Sequence, residues 1–241
     1  MTSLIAHQVA LPGRLQSTDL SVEAGQLVAV IGPNGGGKTS LLRALARIET
    51  LRGTVSIAGH NLDNAPESER RRLIAYLPAS RDMRWSIAVR DVIALGLTAN
   101  DPDRVEAMIE KFGLASLAGR RVDTLSTGER ARVLMARAFA AEPKALLLDE
   151  PLSNLDPYWV LHLTDEFQQA ADSGQILLVA LHDLSMLNRF DRAIVVADGC
   201  IQMDETPADL LASERFENIF RVRQADGGWR LIPPVDPQSS Q

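Results

Sequence analysis

The stretch that decides the fold class is Gly32-Pro33-Asn34-Gly35-Gly36-Gly37-Lys38-Thr39. It follows an apolar run, Leu27 to Ile31, and precedes a helical pattern that starts at Leu41. This is the GxxxxGK[ST] phosphate loop in the strand–loop–helix context that such a loop requires. The glycines let consecutive backbone N–H groups surround a polyphosphate, and the helix N-terminus adds its positive end. We expect Lys38 to reach the β- and γ-phosphates and the Thr39 hydroxyl to bind Mg²⁺.

An acidic pair completes the expected site. It ends a second apolar run, Ala145-Leu146-Leu147-Leu148-Asp149-Glu150. A parallel strand would deliver Asp149 to its carboxyl end, where parallel sheets bind ligands. There Asp149 can hold the magnesium ion through water, and Glu150 can orient or deprotonate an attacking water.

The composition excludes several classes of protein. The chain has 241 residues, 46% of them hydrophobic, which suits one domain or one domain with a subdomain. A net charge of −6 argues against a nucleic-acid binder. The single cysteine, Cys200, rules out an internal disulfide and fits a reducing compartment, and the four histidines lack the spacing of a zinc site. The N-terminus lacks the pattern of a secretory signal, and no segment has the roughly 18 consecutive apolar residues of a membrane span. We therefore expect the chain to reach a membrane only through a partner.

Short apolar runs predict a parallel sheet with helices on both faces. Four runs are apolar at every position, as buried parallel strands are: Leu27 to Ile31, Ala145 to Leu148, Ile176 to Leu181, and Ala193 to Ala197. Helical patterns between these runs indicate an α/β layered fold. Weaker alternating runs, at Leu20 to Glu23 and Thr54 to Ala58, predict a smaller antiparallel sheet. Asp198-Gly199 predicts a hairpin that leads into Cys200 to Met203.

The middle of the chain differs, because residues 80–140 show helical patterns and no buried strand run. The clearest helix there begins with Asp101 as N-cap and Pro102 at its first position, and it ends at Gly113. Its apolar face consists of Val105, Met108, Ile109 and Phe112. We predict a single domain whose α/β core, including the antiparallel part, covers residues 1–79 and 141–232. A helical subdomain at 80–140 interrupts this core, and residues 233–241 form a loose tail.

Three further motifs point to one family. They are Leu125-Ser126-Thr127-Gly128-Glu129-Arg130, Ser153-Asn154-Leu155-Asp156 and His182-Asp183. The first is closely similar to the LSGGQ/LSGGE signature of ABC ATPases, and the order and spacing of all motifs match that family over nearly the whole chain. The sequence thus resembles the ATP-binding subunits of ABC transporters. The resemblance implies a P-loop NTPase core with a mixed sheet, a small antiparallel β subdomain and an inserted helical subdomain.

The resemblance also implies ATP and Mg²⁺ as ligands and a role for each motif. In ABC ATPases two cassettes pair head to tail, and each ATP lies between the phosphate loop of one and the signature of the other. Ser126 and the Gly128 N–H are then expected at the partner's γ-phosphate, and Asp156 at the dimer seam. The implied nucleotide contacts are Gly32, Pro33, Asn34, Gly35, Gly36, Gly37, Lys38, Thr39, Ser40, Ser126, Gly128 and Asp156. The implied catalytic residues are Lys38, Glu150 and His182, the last as the switch histidine on the γ-phosphate, and the implied metal ligands are Thr39 and Asp149.

Three positions depart from the family's pattern. Ala79 stands where the family has the Q-loop glutamine, and alanine has no polar group to contact magnesium or the lytic water. Ser80, the next residue, is the candidate to replace the glutamine in part. No aromatic residue precedes the phosphate loop, so we expect adenine to rest on Val9 or Leu11, or under Arg14. Base selectivity should then be relaxed, because stacking on an aromatic ring is worth roughly 1–3 kcal/mol per base. Thr127 replaces the first glycine of the signature, which we expect to do little harm.

The stretches 81–85 and 89–96 resemble the ATPases of importers for ferric siderophores, haem and cobalamin. In such proteins this region lies beside the groove that receives the permease, so Trp85 is either a permease contact or a packing residue of the helical subdomain. We interpret Arg70-Arg71-Arg72 as a solvated helix face. The expected partners are a second copy of the chain, transmembrane permease subunits and, indirectly, a substrate-binding protein, with no nucleic acid. The chain would then lie in the cytoplasm, on the inner face of the cell membrane, and its cargo is not encoded in this subunit.

Other classes were weighed against this interpretation. ABC proteins that act on ribosomes normally carry two cassettes, and one is present here. DNA-repair ATPases of the coiled-coil type need a long heptad insertion, and residues 40–124, between phosphate loop and signature, contain no heptads. A nucleotide-binding regulator with little or no hydrolysis remains the alternative, because Ala79 removes a catalytic-site contact.

Overall fold

A mixed sheet carries the phosphate loop at its centre. The protein is seen in a computed structural model that describes residues 3–49, 52–80, 83, 86–225 and 228–232. In chain order the strands are β1 (Ser3–Leu11), β2 (Leu15–Glu23), β3 (Leu27–Ile31), β4 (Arg52–Ile57), β5 (His60–Asn61), β6 (Ile74–Leu77), β7 (Ala145–Asp149), β8 (Ile176–Ala180), β9 (Arg192–Ala197), β10 (Cys200–Glu205), β11 (Val222–Ala225) and β12 (Gly228–Leu231). The helices are α1 (Lys38–Leu45), α2 (Glu67–Leu73), α3 (Val89–Ala94), α4 (Pro102–Lys111), α5 (Thr127–Ala140), α6 (Pro157–Asp172), α7 (Pro207–Leu211) and α8 (Glu214–Phe220), with 3₁₀ turns at Ala115–Leu117, Val122–Thr124 and Leu184–Arg189.

The order of the main sheet is β10-β9-β3-β8-β7-β6, and the five strands from β9 to β6 are parallel. The carboxyl ends of β3, β8 and β7 therefore meet at one edge, where parallel sheets bind ligands. β10 returns antiparallel to β9, as the predicted hairpin requires. The sheet thus brings the ends of three predicted strands side by side.

Both faces of this sheet are buried, as the fully apolar runs predict. Every residue of β3 is completely buried. Leu27, Ala29 and Ile31 pack in a cluster with α4, α5 and α6, whereas Val28 and Val30 pack in a second cluster with α1 and the smaller sheet. The predicted α/β fold class is confirmed.

The smaller sheet is antiparallel, with the order β2-β1-β4-β5. The sequence predicted parts of β2 and β4 but missed β1. The pairing of β1 with β2 shifts register between Ala6 and Val9 and again between Val9 and Leu11. Such bulges insert extra residues into a strand and break the apolar alternation that identifies it.

Residues 86–140 contain helices α3, α4 and α5, and none of the strands of the described structure falls there. α4 follows its prediction closely. The carboxylate of Asp101 accepts a hydrogen bond from the Arg104 N–H at 2.9 Å, and Gly113 has a φ of +60° just beyond the helix. The predicted apolar face is buried, and Phe112 is completely enclosed. Among the described helices, none is long and apolar enough to cross a membrane.

One interpretation was wrong in part. Arg70 is partly buried, because its guanidinium donates hydrogen bonds to the carbonyl oxygens of Ala46 at 2.6 Å and Arg47 at 2.8 Å. Arg71 and Arg72 are exposed as predicted. Arg70 therefore anchors α2 to the end of α1. The predicted tail, residues 233–241, and Trp85 lie outside the described residues.

Candidate nucleotide-binding site

The phosphate loop joins β3 to α1 and packs tightly against β9. A Cβ atom at Gly32, where φ is +154°, would lie 1.9 Å from the carbonyl oxygen of Val196, so only glycine fits there. The Lys38 ammonium donates to the carbonyl oxygens of Gly32 at 2.8 Å and Pro33 at 3.3 Å. The lysine side chain therefore lies inside the curve of the loop.

Lys38 is almost fully buried beside two carboxylates. Burial lowers the pKa of the Lys38 ammonium, while the charges of Glu150 and Asp149 oppose this shift. The three groups thus form a compact charged cluster at the carboxyl edge of the sheet. A cluster of this kind is suited to a ligand that carries both phosphate charge and a cation.

Asp149, at the end of β7, is 1% exposed. Burial raises the pKa of the Asp149 carboxyl, and the interactions with Thr39, Tyr76 and Lys38 lower it only in part. The Tyr76 hydroxyl donates to Oδ2 of Asp149 at 3.3 Å, whereas Oδ1 is buried with no hydrogen-bond partner among the described residues. A buried carboxylate oxygen without a partner is costly in a folded protein and is typical of a site that awaits a ligand.

Glu150 and His182 lie at the ends of neighbouring strands, β7 and β8. Glu150 has a φ of +52°, and its N–H donates to the carbonyl oxygen of Ala180 at 3.2 Å. The Glu150 carboxylate meets the imidazole Nε2 of His182 at 2.5 Å. Both side chains are partly exposed and border the same cleft as the phosphate loop.

This cleft has a volume of about 710 Å³. It is lined by Gly13, Arg14, Leu15, Gln16, Asn34, Gly35, Gly37, Lys38, Thr39, Ser40, Glu150, His182, Asp198 and Gly199. The expectation that Val9 or Leu11 supports adenine was wrong, because they are 1% and 6% exposed and belong to the core beneath the smaller sheet. Arg14 is the remaining candidate of the three, since it lines the cleft.

The segments around Ser126 and Asp156 adjoin each other but do not contribute to the described lining of the cleft. Ser126 is the N-cap of α5: its hydroxyl accepts from the Glu129 N–H at 3.2 Å, and the Glu129 carboxylate accepts from the Ser126 N–H at 2.8 Å. Asp156 is the N-cap of α6, and its carboxylate accepts from the Trp159 N–H at 3.1 Å. A Cβ atom at Gly128 would lie 3.2 Å from the carbonyl oxygen of Asn154. Within one protomer, the N-termini of α5 and α6 therefore lie outside the described lining of the phosphate-loop cleft.

Residues 15–153 match the family model described as ABC transporter. The matched part is more than half of the chain and includes the phosphate loop, the signature and the acidic pair. The chain belongs to the ABC transporter family. The family match supports ATP binding in the cleft.

Relatives within the ABC family include proteins named for import. The chain is 35% identical over 224 residues to the Cobalamin import ATP-binding protein BtuD of Halobacterium salinarum, which covers 88% of this chain and 56% of that protein. The chain thus spans about half the length of that first relative. It is 33% identical over 225 residues to the Hemin import ATP-binding protein HmuV of Bordetella avium, with 86% of each chain covered. A probable anion import ATP-binding protein of Haloferax volcanii is 35% identical over 219 residues, with 80% of this chain and 76% of that protein covered.

A solved structure supports the ABC fold. The ATP binding subunit of an ABC transporter superposes with a TM-score of 0.78 at 23% sequence identity, covering 87% of this chain and 92% of that chain. At this identity the likeness concerns the fold alone. It confirms the predicted architecture.

Sequence reasoning missed Tyr76, whose hydroxyl contacts Asp149. Tyr76 lies three residues before Ala79, the position that corresponds to the Q-loop glutamine. β6 pairs in parallel with β7, and Tyr76 lies opposite Leu147, two residues before Asp149. A tyrosine at the end of a strand beside the acidic strand is the sequence signal that could have found this contact.

Proposed function

We propose that the chain is the ATP-binding and ATP-hydrolysing subunit that energises a membrane ABC transporter. The observation that carries this proposal is the meeting of Lys38, Thr39, Glu150 and His182 around one cleft at the carboxyl edge of the sheet. The names of the relatives support an importer of cobalamin or haem, and an iron chelate is the third cargo that the sequence resemblance implies. The cargo would be handled by the permease and not by this subunit.

The residues present fit a magnesium ion. Mg²⁺ prefers hard oxygen ligands, and Asp149 offers a buried carboxylate oxygen without a partner, close to the Thr39 hydroxyl. Thr39 would ligate the ion directly, and Asp149 would hold it through water. When bound, the ion would neutralise phosphate charge.

The protein's own side chains divide the remaining work. Lys38 would bind the β- and γ-phosphates, with the loop N–H groups around them. Glu150 would orient the attacking water or take its proton. His182 contacts the Glu150 carboxylate, and from that position it would both hold the base and hydrogen-bond the γ-phosphate. The base of the nucleotide would lie under the Arg14 guanidinium, which is 57% exposed at the rim of the cleft.

A second copy of the chain would complete each site in a head-to-tail dimer. The separation of Ser126 from the cleft of its own protomer supports this arrangement. The Ser126 hydroxyl lies at the N-terminus of α5, where it accepts from the Glu129 N–H, and it would donate to a phosphate oxygen of the partner's nucleotide. The Gly128 N–H would add a second donor at the N-terminus of α5. Both groups would stabilise charge that develops in the transition state, and Asp156 would lie at the dimer seam.

The permease would dock at a second cleft, of about 740 Å³, between β6 and helices α3 and α5. Leu95 is 52% exposed at this cleft, and Arg71 and Arg137 also line it. An apolar side chain beside two cations fits an amphipathic segment with an acidic residue. Docking there would hold the chain at the inner face of the cell membrane, and a substrate-binding protein would meet the permease on the other side.

A turnover assay with the purified protein and its permease tests the proposal. Glu150→Gln should abolish phosphate release and leave ATP binding intact, because the amide can no longer accept a proton. Glu205→Gln is the matched control, since Glu205 is an exposed carboxylate on β10 outside the cleft. If the wild type and the Glu150→Gln variant were equally inactive even with the permease, the chain would instead be a nucleotide-binding regulator.

A further inference from the structure

Strand β6 reaches the carboxyl edge of the sheet with one polar side chain. Residues 74–79 read Ile74-Ala75-Tyr76-Leu77-Pro78-Ala79, and only the tyrosine can donate a hydrogen bond from its side chain. Its hydroxyl reaches Oδ2 of Asp149 at 3.3 Å. Whatever this strand contributes to the magnesium site through a polar side chain must therefore come from Tyr76.

The position of the Tyr76 ring is fixed by packing. The ring is half-buried against the core cluster that contains α1 and the smaller sheet. The Tyr76 hydroxyl donates its hydrogen to Oδ2 of Asp149. A fixed donor on Oδ2 restricts rotation of the carboxylate and leaves Oδ1 as the oxygen without a protein partner.

We propose that Tyr76 is a positioning residue for the magnesium site, holding the Asp149 carboxylate by its Oδ2 so that Oδ1 is presented to the metal and its water. The inference rests on the proposed magnesium site of Thr39 and Asp149. Groups that hydrogen-bond a metal-binding carboxylate orient it and are costly to remove. Ala79 supplies no polar group in this chain, so among the side chains of β6 the Tyr76 hydroxyl is the group that orients the Asp149 carboxylate.

Magnesium-dependent ATP binding measures the effect without catalysis. Isothermal titration of ATP into the Glu150→Gln protein is performed at a series of Mg²⁺ concentrations and again in EDTA, with and without Tyr76→Phe. The substitution should raise the Mg²⁺ concentration for half-maximal enhancement of ATP affinity about 10-fold, the lower end of the range for such partners because the bond is long, at 3.3 Å. ATP affinity in EDTA should not change.

Tyr158→Phe is the matched control, because Tyr158 is the other tyrosine of the chain and is 67% exposed on α6. It should leave both affinities unchanged. An equal loss of ATP affinity with magnesium and in EDTA would show that Tyr76 only supports the loop, and an unchanged Mg²⁺ requirement would show that it does not act on Asp149. Either result overturns the inference.

The proposed magnesium site is tested separately by the Glu150→Gln background protein. If magnesium does not enhance its ATP binding at all, the site itself is wrong. If magnesium does enhance binding and Tyr76→Phe titrates identically, only the role of Tyr76 is wrong. Thermal unfolding of all variants in EDTA, with equal midpoints, shows that a shift in the Mg²⁺ requirement is not a folding defect.

Discussion

Replacing Asp149 by asparagine should stabilise the nucleotide-free protein while it destroys the magnesium site. Burial raises the pKa of the Asp149 carboxyl above its value in the unfolded chain, despite the nearby Lys38 charge. The folded state therefore binds this proton more tightly than the unfolded state does. The protonated Asp149 carboxyl contributes its full stability when the pH is below its pKa in the unfolded chain. This contribution is lost as the pH rises through its pKa in the folded protein. Ionisation of Asp149 therefore lowers the free energy of unfolding as the pH rises through the folded pKa.

The magnitude follows from the hydrogen bonds of the two carboxylate oxygens. A buried polar group without a partner costs about 1–3 kcal/mol. Oδ2 of Asp149 accepts from Tyr76 and only Oδ1 is without a partner, so the lower end applies. Asparagine keeps the shape and removes the charge. We expect the free energy of unfolding to rise by about 1 kcal/mol, or the melting temperature by about 2–4 °C for a chain of this size.

Urea unfolding in EDTA, without nucleotide, measures this difference at neutral pH and again below the ordinary carboxyl pKa. Asp149→Asn should be the more stable protein at neutral pH, and the gain should vanish at the lower pH. Asp165→Asn is the control, because Asp165 is 59% exposed and its ion pair with Arg189 lies at the surface; it should change stability by less than about 0.5 kcal/mol. A less stable Asp149→Asn protein at neutral pH, or a gain that does not depend on pH, would refute the reasoning.

Three further predictions concern the cleft and its supports. Ser126→Ala should lower the free energy of unfolding by about 1 kcal/mol because Ser126 caps α5; urea unfolding that shows no loss would contradict the cap. Arg70→Ala should lower the free energy of unfolding by about 1–2 kcal/mol in the same assay, because two backbone carbonyls lose their donor. The control Arg72→Ala removes an exposed side chain and should lower it by less than about 0.5 kcal/mol. Equal losses for the two variants would argue against the contact between Arg70 and the end of α1. Arg14→Ala should weaken ATP binding about 2- to 5-fold, as loss of an exposed cation–π contact does, and leave inorganic triphosphate binding unchanged in calorimetry; an equal loss for both ligands would assign Arg14 to the phosphates.

The sequence was most informative where local chemistry alone dictates the structure. The strands β3, β7 and β8 were predictable because helices cover both of their faces, which demands apolar residues at every position. α4 was predictable because Asp101, Pro102 and Gly113 fit the special positions at its two ends. The phosphate loop was predictable because the close approach of Val196 tolerates nothing larger than glycine at Gly32.

Features that depend on distant contacts were not predictable. Nothing near Arg70 in sequence shows that it lies against the end of α1, so its burial was missed. Val9 and Leu11 look available for adenine until the register of β1 places them in the core. The Tyr76–Asp149 contact joins residues 73 positions apart, and it depends on β6 lying next to β7. The motifs predict which residues belong to the site, and the fold shows which of them are in contact.

The ABC family and the fold expected from the motifs are confirmed, whereas the roles of individual site residues remain predictions. The resemblance placed Ser126, Gly128 and Asp156 in a site shared between two copies. None of the three lines the described cleft of its own protomer. The shared site is the claim on which the proposed mechanism depends.

Sedimentation of the Glu150→Gln variant with and without MgATP tests that claim most directly. The account predicts that ATP doubles the sedimenting mass, because each nucleotide is bound between one phosphate loop and the signature of a second copy. Adding Ser126→Arg should leave the protein monomeric with ATP still bound, since the large cation would block the approach of the partner. A protomer that binds ATP and stays monomeric without Ser126→Arg, or a dimer that persists with it, would contradict the account.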